Sequence, residues 1–121
     1  MTSDATDTAS TDPTLSGPVR YSLAIVISHE TDEVVTITVN GLTAPRIGER
    51  LYFEVPQLPL SVKVVDVAHW FYAPANDPDH RETVVTAVPH DVDMPVARKL
   101  LDSEVLEQWC TYLPSVGPSR K

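Results

Sequence analysis

Leu60-Ser61-Val62-Lys63-Val64-Val65-Asp66-Val67-Ala68-His69-Trp70-Phe71-Tyr72 contains neither Gly nor Pro. Successive side chains of a strand point to opposite faces. Val62 and Val64 therefore share one face, with Ser61 and Lys63 on the other. Farther along, Val65, Val67 and Phe71 share a face, with Asp66 and Ala68 opposite. The apolar parity reverses between Val64 and Val65. A slip of one residue exchanges the faces of a strand, and a β-bulge supplies that extra residue and bends the chain. At about 3.3 Å per residue the stretch spans roughly 40 Å, more than twice a common strand. A long strand bent at its middle can serve two sheets or two walls of a small barrel. Two short strands joined at Val64–Asp66 are the alternative.

On either side of this stretch the pattern is also mostly β. Residues 20–29 place Tyr21, Leu23, Ile25 and Ile27 on one face, and Ala24 and Val26 leave the other face partly apolar. Residues 33–39 place Val35, Ile37 and Val39 together and are rich in β-branched side chains. Asn40-Gly41 predicts a turn with positive φ. Residues 50–55 point Leu51, Phe53 and Val55 inward, and Pro56 and Pro59 separate them from the long strand. Residues 82–88 carry Val84, Val85, Ala87 and Val88, which leave neither face polar and predict a central strand. None of the 11 prolines falls inside these segments, where it would remove a ladder donor.

After Pro89 the periodicity changes. Asp93 reads as an N-cap, and Pro95 is tolerated in a first turn. Leu101, Val105 and Trp109 recur every four residues and predict an amphipathic helix over 94–113, with a possible break at Asp102-Ser103. The expected fold is mainly β (α+β): a small five-stranded barrel or strongly bent antiparallel sheet with one C-terminal helix. It occupies a single domain, 20–113. Residues 1–19 are poor in apolar side chains and predict a disordered N-terminal tail. Residues 114–121 predict a shorter flexible tail.

The formal net charge is −8, and the basic residues are scattered rather than gathered in a stripe. Direct nucleic-acid binding is disfavoured, because it needs phosphate neutralisation. An anionic membrane surface is disfavoured for the same reason. The acidic N-terminus has no apolar run of the kind a signal peptide needs. The single Cys110 cannot form an intramolecular disulfide, so a cytoplasmic setting is expected.

His69-Trp70-Phe71-Tyr72 has two readings. Trp70 can pack beneath the helix near Leu101, Val105 and Trp109, because large aromatics usually supply core area. Alternatively, Trp70 and Tyr72, with Tyr52 and Asp66, form a surface for a protein or peptide. Metal ligation by His90-Asp91-x-Asp93, or by Asp77, Asp79 and His80, matches no zinc or calcium spacing. Cys110 reads as a packed small hydrophobe. Neither a nucleophile elbow nor a phosphate-cradling Gly-rich loop is present, and no cofactor is expected.

The leading expectation is a small non-enzymatic binding module acting through a sheet edge or the aromatic patch, with homodimerisation as a variant. One rival is a metal-dependent or acid–base enzyme using His69, His90 and nearby carboxylates. Another is an acidic mimic that occupies a basic or nucleic-acid-binding partner.

Overall fold

The computed structural model describes residues 19–73 and 81–119. The tail expected at 1–19 lies outside the described residues except for Val19, which opens the first strand. The strands are β1 (Val19–Ser28), β2 (Glu33–Gly41), β3 (Arg50–Phe53), β4 (Leu60–Phe71), β5 (Arg81–Pro89) and β6 (Val116–Pro118). Between β5 and β6 come a 3-10 turn (Asp91–Asp93) and two short helices, α1 (Met94–Lys99) and α2 (Ser103–Thr111). All six strands form one sheet in the order β3-β4-β5-β1-β2-β6. The sheet curls into a half-barrel, which gives the bent, mostly β body with a helical C-terminal part that the patterning predicts.

The bend falls at the parity reversal. Val64 of β4 pairs with Ala87 and Asp66 pairs with Thr86, so Val65 is an extra residue with no counterpart on β5. Leu60, Val62 and Val64 point into the core before the bulge, and half-buried Val67 continues on the same side after it. Burying each such aliphatic side chain contributes about 1.5–3 kcal/mol. A regular strand that kept Val65 in the ladder, with no bulge, would turn Val67 outward and Asp66 inward.

β5 is central, as its two apolar faces predict. It runs antiparallel to β4 and parallel to β1. That parallel pair departs from the all-antiparallel expectation. The long path through β2, β3 and β4 lets β5 return beside β1 in the same direction. Inward residues of β1 (Tyr21, Leu23, Ile25, Ile27) and β2 (Val35, Ile37, Val39) complete the sheet side of the core.

Four further features sharpen the expectation or differ from it. The helix over 94–113 is two helices, broken at Leu100–Asp102, beside the break read at Asp102-Ser103. The Asp102 carboxylate caps α2 by accepting from the backbone N–H of Glu104 and Val105. The break shifts the helical phase, so Leu100 is buried and Leu101 is exposed. Asp93 does not cap α1 with its side chain. Its carboxylate instead accepts from the backbone N–H and hydroxyl of Ser61, at 3.0 and 2.6 Å, tying the helical segment to β4.

Asn40-Gly41 is not a positive-φ turn. Both residues stay in β2, paired with Arg20 and Val19. A Cβ at Gly41 would lie 3.3 Å from the Thr43 carbonyl oxygen, so the glycine serves a close approach rather than a left-handed turn. Positive φ occurs instead at Asp32, Gly48 and Gln57. Finally, part of the expected C-terminal tail is ordered. Val116–Pro118 pairs with Ile37–Val39 of β2, and the Ser115 carbonyl accepts from the N–H of Asn40.

Candidate functional site

The two tryptophans have different environments, and of the two readings of Trp70 the structure shows the exposed one rather than packing beneath the helix. Trp109 of α2 is 1% exposed and Trp70 of β4 is 54% exposed. Trp109 lies against Phe53, with ring centroids 5.3 Å apart, and its indole N–H donates to the Leu58 carbonyl at 2.9 Å. A buried indole needs such a partner. With that place filled, Trp70 sits beyond the helical cover at the far end of β4.

The cover over β4 ends abruptly. β3 pairs with Leu60–Lys63, and the loop before it adds two bonds at Val64. Gly48 N–H donates to the Val64 carbonyl, and Val64 N–H donates to the Glu49 carbonyl, both at 2.8 Å. From Val65 to Phe71 no described strand or loop pairs with this side of β4. Val64 directs its backbone groups away from β5. The bulge adds one residue and strand groups alternate thereafter. The N–H and C=O of Val67, His69 and Phe71 therefore face the open side.

Aromatic side chains flank this open edge on both faces. Trp70 lies opposite Glu82 and Phe71 opposite Arg81, one residue apart on a strand, so they project to opposite sides. Phe71 is 79% exposed. The parity argument placed it on the core side with Val65 and Val67, but the core ends before it, and Val65 itself protrudes at the bulge. The Tyr72 hydroxyl donates to Glu82 Oε1 at 2.8 Å, and Ser22 donates to the other oxygen of the same carboxylate. Glu82 thereby holds Tyr72 against the outer face beside Trp70. Asp66 is exposed on that outer face, across from Thr86. Tyr52 is exposed too, but it pairs with Ser61, roughly 26 Å of strand away from Trp70. The structure thus brings together Trp70, Tyr72 and Asp66 and separates Tyr52 from them. Phe71, Val65 and Glu82 are the members that sequence reasoning missed. The signal was available for Val65, which the parity reversal marks as the extra residue.

The histidines are dispersed. His69 Nδ1 lies 3.1 Å from Thr83 Oγ1. His90 follows Pro89, which pairs with Val62, six ladder positions from His69 and roughly 20 Å away. The His90 ring nitrogen accepts from Val92 N–H and caps the 3-10 turn. His69 and His90 therefore do not form one site. Asp77, Asp79 and His80 lie outside the described residues. Among the described residues no three His, Cys, Asp or Glu side chains are grouped to hold a metal ion. A half-open hollow of about 200 Å³ lies between Arg50, Lys63, Val88 and His90, smaller than the roughly 300–1,000 Å³ of common small-molecule pockets.

Cys110 is buried in the core. Burial, and secondarily the Glu107 carboxylate, push its thiol pKa up and favour the protonated, unreactive form. No described helix is long and apolar enough to cross a membrane. No protein-family model, curated protein or solved structure compared with the chain matches it.

Proposed function

We propose that this chain is a small non-enzymatic binding module that takes an extended protein segment along the open edge of β4. The supporting observation is the coincidence of two features on residues 65–71. Among the described residues nothing pairs with the backbone donors and acceptors on one side, and Trp70 and Phe71 are exposed on opposite faces. A partner lying flat on one face could cover only one of these rings. A strand added at the edge touches both, gains main-chain hydrogen bonds, and presents alternate side chains to each ring.

The reading is tested by capture from a source-cell lysate on immobilised wild type and on His69→Pro. The His69 N–H faces outward, so proline there removes an edge donor without breaking the β4–β5 ladder. Trp70→Ser, which leaves the backbone donors in place, is the second variant. Both variants are expected to fold, by circular dichroism, and to lose the captured partner. Hydrogen exchange of the wild-type complex is expected to show new protection at Val67, His69 and Phe71. A partner that binds both folded variants as well as it binds wild type overturns the reading.

A further inference from the structure

The two terminal strands of the sheet are short. β3 presents four residues with exposed Arg50 at one end, and β6 presents three and closes with Pro118. Short length, charge and proline are the usual means of preventing strands from pairing between molecules. The open stretch Val65–Phe71 is longer than either terminal strand, and its one charge, Asp66, sits beside the bulge at its start. It is seven residues long and contains no Lys, Arg or Pro. An edge of this kind can pair with a second copy of itself. It stays soluble if pairing closes the edge, as a two-fold dimer does.

Resting on the edge-binding reading, we infer that the occupant is a second copy of this chain, added antiparallel about a two-fold axis through Ala68. The register follows from the fold. The Gly48–Glu49 bonds stop pairing at Val64 on one end, and β4 ends at Phe71 on the other. The midpoint of the free stretch is Ala68, and centring there gives the longest symmetric overlap. An axis normal to the sheet sets Ala68 against its own copy, Val67 against His69, and Asp66 against Trp70. The residue that must face itself is thus the smallest in the stretch, and no like charges face each other. Asp66 is an acceptor and the Trp70 indole N–H is a donor, so that pair is complementary and occurs twice.

The hydrogen-bonding phase agrees with this register. The outward groups of Val67 and His69 face those of His69 and Val67 in the second copy, giving four N–H···O bonds. Ala68 forms the closely spaced, non-bonded pair between them, with Cα atoms about 4.5 Å apart. Covering the exposed parts of Trp70 and Phe71 removes on the order of 300 Å² per copy, over a third of the roughly 800 Å² each partner gives a standard interface.

The test is sedimentation equilibrium of the 13.3 kDa chain over micromolar to millimolar concentrations, together with oxidation of Ala68→Cys and of a control, Thr38→Cys, on the outer face of β2. The Ala68 pair has the Cα separation that a disulfide accepts. Wild type is expected to approach twice the monomer mass. Ala68→Cys is expected to cross-link within the dimer, the control is not, and His69→Pro should weaken the dimer at least about tenfold. Wild type that stays monomeric overturns the second copy as occupant. In that case the edge itself survives if His69→Pro still abolishes lysate capture. A dimer that neither cross-links at residue 68 nor responds to His69→Pro lies elsewhere on the surface and equally overturns the inference.

Discussion

Replacing each tryptophan in turn separates the packing found here from the packing that residue type alone suggests. Trp109→Phe keeps a ring against Phe53 but removes the indole N–H from the Leu58 carbonyl. The lost bond and the poorly satisfied carbonyl together cost about 1–3 kcal/mol. The smaller ring leaves part of the indole volume empty at a site that is 1% exposed, which adds about 1 kcal/mol. The sum, about 2–4 kcal/mol, is a large fraction of the 5–15 kcal/mol typical of a domain. Trp70→Phe changes a half-exposed ring and is expected to stay within about 0.5 kcal/mol of wild type. Urea unfolding followed by circular dichroism gives both values from midpoints at constant slope. Fluorescence offers an independent check. Trp109→Phe leaves only solvent-facing Trp70, so native emission shifts to the red, whereas Trp70→Phe leaves only buried Trp109 and emission shifts to the blue. If Trp70→Phe is the more destabilising change, the assignment of the core tryptophan is refuted.

Three further outcomes follow from other parts of the structure. Deleting Val65 removes the residue without a counterpart on β5, keeps Val64 and Val67 inward, and is expected to cost less than about 1 kcal/mol in urea unfolding; a globally unfolded product contradicts this. Asp93→Ala releases both Ser61 bonds of a half-buried carboxylate, and a loss of about 1.5–3 kcal/mol is expected; Asp93→Asn should lose less, and equal stability of Asp93→Ala and wild type would exclude the tie. Burial raises the folded-state pKa of both Cys110 and Tyr21 above their ordinary values of 9.0 and 10.0. Their stability contribution is complete below pH 9 and fades as pH rises through the folded values. The alkaline fall in melting temperature should therefore flatten in Cys110→Ser and in Tyr21→Phe, and profiles parallel to wild type count against it.

Much of the fold was legible because it rests on local alternation. Adjacent Val64 and Val65 announced the bulge, and the apolar run of residues 84–88 announced the central strand. Residues that depend on distant partners are not legible in the same way. Only one tryptophan can donate to Leu58, and nothing near Trp70 or Trp109 in the chain indicates which. Asn40-Gly41 reads as a turn in the sequence, because the close neighbour of Gly41, the Thr43 carbonyl, becomes visible only once β2 is built. Val116–Pro118 is too short to carry an alternating pattern, and its strand identity comes entirely from β2. The site was half legible. Trp70, Tyr72 and Asp66 were candidates from residue type, but the open edge beside them depends on where the loop at Gly48–Glu49 stops.

The place of β5 between β4 and β1 also constrains the order of assembly. β1 and β2 are neighbours in the chain and can form a hairpin early. The flank of β1 that receives β5 must wait for roughly fifty more residues to be made, about 3–10 s at ordinary translation speeds. During that interval the inward side of the nascent hairpin is bare and apolar. Docking β5 on β1 joins distant segments of the chain, a non-local pairing of the kind that slows folding toward the millisecond-to-second range.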